Sequence, residues 1–402
     1  MVSEESRKGR ILKYKVLYTI LILIVYLIGR NIPLYGIDLS MYTGNAIDAQ
    51  TLLIRTVSGD RNRISLFALG ISPYMMSSII VQIFVTCLNS SAKSRISPGK
   101  INRITMKLMI VFAMIQSVQR AGRLQYIYQG RELFLTQIIT IIEMITGVMM
   151  ILQLSERNKK YGIGGQTAII YVNILDGLIS TLKGHTILEL IFPGMVSLVV
   201  MVIVVFMENT EKRIPLQRIS IHNIYADKNY LAIKLNPIGM MPVMFATSAF
   251  MIPQILVDAA IHFLPENSVL LWWQSHLNLN EPAGIFVYIG ILYILTITFS
   301  FAFINPGDMT EQFLKSGDSI VDLHAGRETK RYLVREVRRI SFLSTTVMGI
   351  CLGIPMYIQS IEGVESSLVM LPASIMMLTG IFCNLYQEII AVGNYDAYQS
   401  FI

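Results

Sequence analysis

Long apolar segments recur along the whole chain and limit what it can fold into. A helix needs about 20 consecutive apolar residues to cross a bilayer. Ten segments approach this length, near residues 14–30, 64–88, 107–127, 134–154, 166–182, 186–207, 238–263, 283–303, 340–360 and 368–391. Only 15% of the 402 residues are charged, against about 25% in soluble domains. The sequence therefore predicts an all-α polytopic membrane protein with ten transmembrane helices.

The basic residues give an independent test of this count. About three quarters of the 33 Lys and Arg residues lie in alternate loops, those on the cytoplasmic side when the N-terminus is placed there. Short cytoplasmic loops of membrane proteins are enriched in Lys and Arg. The pattern predicts that both termini are cytoplasmic. It also assigns the net charge of +7 to membrane topology, so no nucleic-acid substrate is expected.

Ten spans divide into two sets of five. An odd number of spans in each half forces opposite orientations if the halves share a fold. We predict an inverted repeat, with residues 1–183 forming spans one to five and residues 184–402 forming spans six to ten. The fifth span carries Asn173 and Asp176, and the seventh carries Pro253. Such spans must face protein or water, which predicts an interior cavity.

Two predicted cytoplasmic connections, residues 208–236 and 305–339, are much longer than ordinary turns. The second carries Arg335, Arg338 and Arg339 at helical spacing. A basic surface of this kind suits an acidic protein partner or ribosomal RNA. The simpler alternative is that these arginines only anchor the loop on the cytoplasmic side.

Six motifs identify a family resemblance. In chain order they are IPLYGID (32–38), RISLFALGISPYMMSSIIVQ (63–82), YGIGGQT (161–167), KRIPLQ (212–217), AIKLNPIGMMPVMFATS (232–248) and INPGDMTEQFLKSGDSI (304–320). Together they resemble the SecY family of protein-conducting channels, in the expected order and over most of the chain. The resemblance implies ten helices in two inverted halves. It also implies a channel that passes unfolded exported polypeptides and opens sideways between spans two and seven to admit a signal peptide.

The resemblance also implies a pore ring and a plug. By position, the ring would contain Ile71, Met75, Met244, Met377 and a residue of the fifth span, Ile174 or Ile170. An apolar collar blocks ions by dewetting, and flexible methionines adapt to varied chains, although a methionine stripe is also common as core filler. The plug would correspond to LLIRTVSGD (52–60), which comprises Leu52, Leu53, Ile54, Arg55, Thr56, Val57, Ser58, Gly59 and Asp60.

Polar residues on the second span suggest a lateral gate. Ile71, Met75, Ser78 and Gln82 share one helical face. We expect Ser78 and Gln82 to pair with other polar residues across the helix contacts, namely Gln116 on the third span and Thr247 or Ser248 on the seventh. Interhelical polar contacts in membranes contribute only about 0.6 kcal/mol each, so a signal peptide would displace them. A permanent helix contact is the alternative.

The resemblance further implies partners on the cytoplasmic side. A SecA-type motor ATPase would bind the basic residues of the long loops, which are Lys212, Arg213, His324, Arg327, Arg335, Arg338 and Arg339. Small SecE-like and SecG-like membrane subunits, the secretory precursor polypeptide and membrane lipids would be the other partners. His324 stands where ordinary SecY chains carry an arginine followed by Pro-Gly, so the motor contact is either altered or made by Arg327.

This departure, the short segment 361–366 and the tail without basic residues are similar to accessory SecY proteins of Gram-positive bacteria. Those proteins pair with a dedicated SecA-type motor and export serine-rich glycoprotein adhesins. Two alternatives stay open: a divergent housekeeping SecY, and an ion-coupled secondary transporter that uses a carboxylate such as Glu143 near the membrane midplane.

The chain carries no pattern typical of an enzyme or a metal site. The segment 162–165 lacks the lysine of a phosphate-binding loop. Its five histidines are scattered, and Cys87, Cys351 and Cys383 sit in apolar runs without ligand spacing. We therefore predict no cofactor, no metal and no catalytic activity, so that energy for transport must come from a partner.

Overall fold

The computed structural model describes residues 2–38, 64–88, 97–122, 124–218, 229–263, 267–279, 281–362, 368 and 371–395. The predicted plug, residues 52–60, lies outside this part of the chain. The helices are α1 (Val2–Arg30), α2 (Ser72–Cys87), α3 (Pro98–Ala121), α4 (Arg131–Tyr161), α5 (Gly165–Gly184), α6 (Ile187–Asn209), α7 (Met241–Ala249), α8 (Met251–Phe263), α9 (Ser268–His276), α10 (Pro282–Ile304), α11 (Pro306–Ser316), α12 (Arg327–Glu362) and α13 (Leu371–Tyr395). The strands are β1 (Glu211–Arg218), β2 (Tyr230–Lys234) and β3 (Asp318–Ile320).

Each of the ten predicted spans coincides with helix in the structure. Within the described residues, eight helical stretches are long and apolar enough to cross a membrane. The other two spans are α2, which has only 16 residues, and α5, which carries Asn173 and Asp176. The prediction of an all-α polytopic membrane protein is confirmed.

Two prolines within the predicted spans lie at helix starts. The helix α2 begins at Ser72, and Pro73 lies in its first turn. A proline there loses no helical hydrogen bond, because the first N–H groups of a helix have no partner within it. The seventh span is divided at Phe250 into α7 and α8, and Pro253 falls in the first turn of α8. Both prolines therefore start helices.

The packing of the last five spans repeats that of the first five. In the first set α2 packs on α3, α3 on α4, α4 on α5, and α5 on α1; in the second set α7 packs on α10, α10 on α12, α12 on α13, and α13 on α6. The two sets meet where α2 packs on α7 and α10, and where α13 packs on α5 and α1. This repeat supports the division into residues 1–183 and 184–402, which stays a prediction.

The two long loops fold together. β1 pairs in antiparallel register with β2 on one side and β3 on the other, giving the order β2-β1-β3. A hydrophobic cluster lies beneath this sheet and is formed by Ile214, Ile233, Ile320, Leu333 and Ile340. Met309 and Phe313 of α11 pack against it, whereas Leu314 is exposed. We call β1–β3, α11 and residues 327–340 of α12 the sheet unit.

A buried polar chain anchors the sheet unit to the spans. The Asn236 Nδ2 donates to Glu208 Oε1 of α6 at 2.7 Å. The Ser344 hydroxyl of α12 donates to Asn236 Oδ1 at 3.2 Å. All three side chains are buried, so the segment that follows β2 is fixed between two spans before it enters α7.

Candidate functional site

The predicted ring residues come together at the junction of the two sets of spans. Ile71 precedes α2, and the others lie on α2, α5, α7 and α13. Each is at most 5% exposed, and all belong to the main hydrophobic cluster. The six residues are Ile71, Met75, Ile170, Ile174, Met244 and Met377. Both candidates of the fifth span are buried in this cluster, so the structure offers either one to the ring.

The cluster contains methionines that the sequence did not single out. Met240, Met348 and Met376 are also buried within it. The sequence did not distinguish these three methionines, because the chain has 23 methionines and residue type alone does not show which positions are buried. A collar rich in thioethers is flexible and polarizable, which suits side chains that must move aside for varied polypeptides.

Three of the predicted gate residues make contacts other than the predicted polar pairs, which stay a prediction. The Ser248 hydroxyl of α7 lies 3.8 Å from the Met75 sulfur of α2. The Gln116 amide of α3 donates to the Met76 sulfur at 3.0 Å. The Thr247 hydroxyl donates within its own helix, to the Met244 carbonyl at 2.7 Å. The interhelical acceptors of Gln116 and Ser248 are therefore thioethers.

The physical reason is the order of side chains on α2. Met75 and Met76 are consecutive, so they project about 100° apart: Met75 meets α7 and Met76 meets α3. Ser78 and Gln82 are half-buried farther along the helix. A further contact joins α2 to α8, because the Ser72 hydroxyl lies 3.6 Å from the Met251 sulfur. We call the contact of α2 with α7 and α8 the seam.

Thioether sulfur is only a weak hydrogen-bond acceptor. The two hydroxyl–sulfur contacts of the seam, from Ser72 and Ser248, are thus long and weak, and each is surrounded by apolar packing. Separation of α2 from α7 and α8 would therefore break no strong hydrogen bond among these contacts.

Six of the seven predicted motor-binding residues lie on the sheet unit, and His324 lies in the turn between β3 and α12. Three of the six are already engaged within the unit. Lys212 and Arg339 both contact the Glu336 carboxylate, which is only 5% exposed. Arg213 contacts Glu211 at 3.0 Å and stacks over Tyr230. These three residues hold β1 and α12 in place, so their role is at least partly structural.

The remaining four basic residues are exposed and can therefore contact a partner. Arg327, Arg335 and Arg338 are exposed. His324 is 94% exposed and lies 3.4 Å from Glu328. The accessible basic surface is therefore made by the start and outer face of α12.

The polar residues of α5 face protein, as predicted. The Tyr26 hydroxyl of α1 donates to Asn173 Oδ1 at 2.8 Å. The Arg30 guanidinium, which is buried, donates to Asp176 at 2.7 Å. Two spans are thereby joined by a hydrogen-bonded ion pair, in which the Arg30 side chain is buried and the Asp176 side chain is 41% exposed.

Glu143 of α4 serves as an acceptor in the fold. Its carboxylate accepts the Tyr35 backbone N–H at 3.0 Å, which fixes the turn after α1. This contact gives the Glu143 carboxylate a structural partner. Among the residues that the structure describes, no group of three or more His, Cys, Asp or Glu side chains is arranged to hold a metal ion.

The fold and this site define a class: a multi-pass helical membrane protein with a buried apolar cluster where two packed sets of spans meet. The family model for SecY matches residues 65–386, most of the chain. The chain belongs to the SecY family, which confirms the resemblance drawn from its motifs.

Relatives and solved structures agree with this assignment. The chain is 28% identical to the accessory Sec system protein translocase subunit SecY2 of Leuconostoc gelidum subsp. gasicomitatum, over 99% of both chains. It is 29% identical to the protein of the same name in Streptococcus agalactiae, over 85% of this chain and 84% of that one.

Solved structures share the fold. A structure described as "The structure of a protein conducting channel" aligns with a TM-score of 0.68 at 18% identity, covering 97% of this chain and 94% of that chain. Sec61 in a canine ribosome-channel complex aligns with a TM-score of 0.62 over the same shares of the two chains, also at 18% identity.

Proposed function

We propose that this chain is the channel subunit of an accessory Sec translocase in a bacterial plasma membrane, and that it passes unfolded exported polypeptides. The names of its relatives support the accessory assignment. The observation that carries the channel function is the burial of all six ring candidates in one cluster where the two sets of spans meet.

In this function the ring and the seam have separate tasks. The ring formed by Met75, Met244, Met377, Ile71 and a fifth-span isoleucine closes the pore by excluding water. The seam opens sideways when a signal peptide enters between α2 and α7. Because its hydroxyl–sulfur contacts are weak, an apolar signal helix replaces them at little cost. Residues 52–60 act as the plug.

Energy comes from outside the chain, because a channel only lowers a barrier. A SecA-type motor binds the exposed basic surface of Arg327, Arg335 and Arg338, with His324 at its edge. SecE-like and SecG-like membrane subunits complete the translocase. The cargo is a small set of serine-rich glycoprotein adhesins, and both termini of the chain are cytoplasmic.

Deletion in the natural host tests this function. Removing the chain should abolish export of one or a few adhesins while bulk secretion continues, and the intact chain supplied on a plasmid should restore export. A general failure of secretion would instead assign the chain to the housekeeping role. Unchanged export of every surface protein would contradict a translocation function altogether.

A further inference from the structure

One helical turn near the end of α13 touches three separate parts of the molecule. Its residues Asn384, Leu385, Gln387 and Glu388 contact the turn between α4 and α5, the last residue of β2, and the segment that leads into α7. We call these four residues the α13 junction. They lie outside the ring and the seam.

The first contact is with the glycine-rich turn 162–165. The Gly164 N–H donates to both carboxylate oxygens of Glu388, at 3.2 and 3.1 Å. Gly164 has a φ of +75°, and a Cβ on it would lie 2.3 Å from the Leu385 side chain. Glycine therefore permits both the backbone conformation and the close approach. The carboxylate also sits at the N-terminus of α5, where negative charge is favoured.

The turn itself is braced from two other spans. The Asn158 amide of α4 donates to the carbonyls of Ile163 and Gly165, each at 2.9 Å. The Thr19 hydroxyl of α1 donates to Asn158 Oδ1 at 2.9 Å and accepts the Ile163 N–H at 2.8 Å. A displacement of the turn must consequently move α1, α4 and α5 together.

The other contacts are with the second set of spans. Lys234, the last residue of β2, donates to Gln387. A Cβ on Gly239, two residues before α7, would lie 2.6 Å from Asn384. A Cβ on Gly380 would lie 2.0 Å from Met240. The sheet unit and the entry to α7 are therefore both packed directly against α13.

We propose that the α13 junction couples the sheet unit to the seam, with Glu388 and Gln387 as positioning residues. This inference rests on the proposed function. A motor that displaces the sheet unit moves Lys234 and, through Gln387, the end of α13. Glu388 then carries that movement to the braced turn, while Asn384 and Gly380 carry it to the entry of α7.

Tight packing makes such transmission effective, since close-packed groups move together rather than deform. The two sets of spans are joined by weaker contacts at the seam than at the α13 junction, and this difference determines where they separate. At the seam, α2 and the second set are joined by weak hydroxyl–sulfur contacts. At the α13 junction, the halves are joined by a charge-assisted hydrogen bond and by a glycine contact without room for a methyl group. The halves thus stay together at the junction and separate at the seam.

The test uses the full chain in proteoliposomes with the SecA-type motor of the same bacterium, an adhesin precursor and ATP. Spin labels replace exposed Ile80 of α2 and Leu256 of α8, after the three native cysteines are substituted. The readout is the motor-induced increase in the distance between the labels.

Glu388→Ala should reduce the widened population about fivefold, because it removes a partly solvated charge-assisted hydrogen bond, and motor affinity should be unchanged. Glu388→Gln, which keeps an acceptor, should retain most of the response.

A matched glycine pair separates backbone strain from contact. Gly164→Ala and Gly317→Ala place alanine in nearly the same left-handed backbone conformation, with φ of +75° and +72° and ψ of −8° and +17°, but a Cβ at Gly317 would meet nothing within 4 Å. Only Gly164→Ala should lose the motor-induced widening, and Leu385→Ala added to it should restore part of the response.

Wild-type widening in Glu388→Ala, or equal effects of the two glycine variants, would overturn the inference while leaving the proposed function intact. A wild-type chain that neither widens nor exports with the motor would overturn both.

Discussion

Replacing Ser72 and Ser248 by alanine should make the seam open more readily. These residues supply the two hydroxyl–sulfur contacts between the halves, at 3.6 Å to Met251 and 3.8 Å to Met75. Interhelical hydrogen bonds in membranes contribute about 0.6 kcal/mol each, so their joint loss amounts to about 1.2 kcal/mol. Since 1.4 kcal/mol is a factor of ten, the ratio of open to closed seam should rise up to about eightfold.

The assay for this prediction measures opening and export together. Paired spin labels on α2 and α8 report the open fraction, and a precursor with a weakened signal peptide reports the functional threshold, which should fall. Ser77→Ala is the matched control, because Ser77 is fully buried on α2 but donates only to the Tyr74 carbonyl of its own helix, at 2.8 Å. An open fraction that changes less than about twofold, or equally in the control, would refute the role of these contacts.

Two further predictions concern the sheet unit. Lys212→Met should destabilise β1 by about 2 kcal/mol, because it removes one of the two cations paired with the buried Glu336 carboxylate. Glu336→Gln should destabilise β1 by less than about 1 kcal/mol, because the exposed cations return to water. Hydrogen exchange of β1 measures both, and equal effects would contradict the asymmetry. Arg335→Glu together with Arg338→Glu should weaken motor binding at least about tenfold without changing membrane insertion; unchanged binding in a sedimentation assay would show that these arginines only anchor the loop.

The spans were predictable because the bilayer imposes one strong rule on sequence. Apolar length fixed the positions of all ten, even α5, whose Asn173 and Asp176 reduce its hydropathy. The exact start of α2 was less predictable, because Pro73 at a helix start and Pro73 within a kinked helix give the same residue pattern. In the structure, a turn ends at Gly70, which has a φ of +56°, and the helix therefore starts just before Pro73.

The sheet unit was not predictable from local patterns. β1 pairs with β3, whose residues follow it by about 100 positions, and no local periodicity marks such a contact. For the same reason the sequence assigned Lys212 and Arg339 to a partner, when both contact Glu336. A glutamate within a basic helix is expected to be solvated, and only the folded structure shows that Glu336 is buried.

The thioether contacts of the seam were not predicted from the sequence. Hydrogen-bonding residues such as Ser78 and Gln82 attract attention in an apolar span, whereas methionine reads as core. In the structure, the Ser248 and Ser72 hydroxyls at the seam contact the sulfurs of Met75 and Met251. Only side-chain geometry distinguishes a methionine that fills space from one that meets a hydroxyl.

Site-specific photo-crosslinking of an arrested precursor tests the channel most directly. A photoreactive residue at Met75 or Met244, both buried in the ring, should capture a polypeptide halted during motor-driven export. The same residue at Val25 of α1, which is exposed on the apolar surface, should capture little. Strong labelling from the two ring positions, dependent on ATP and the motor, is the predicted result. Equal labelling from Val25 would contradict a polypeptide path through this ring.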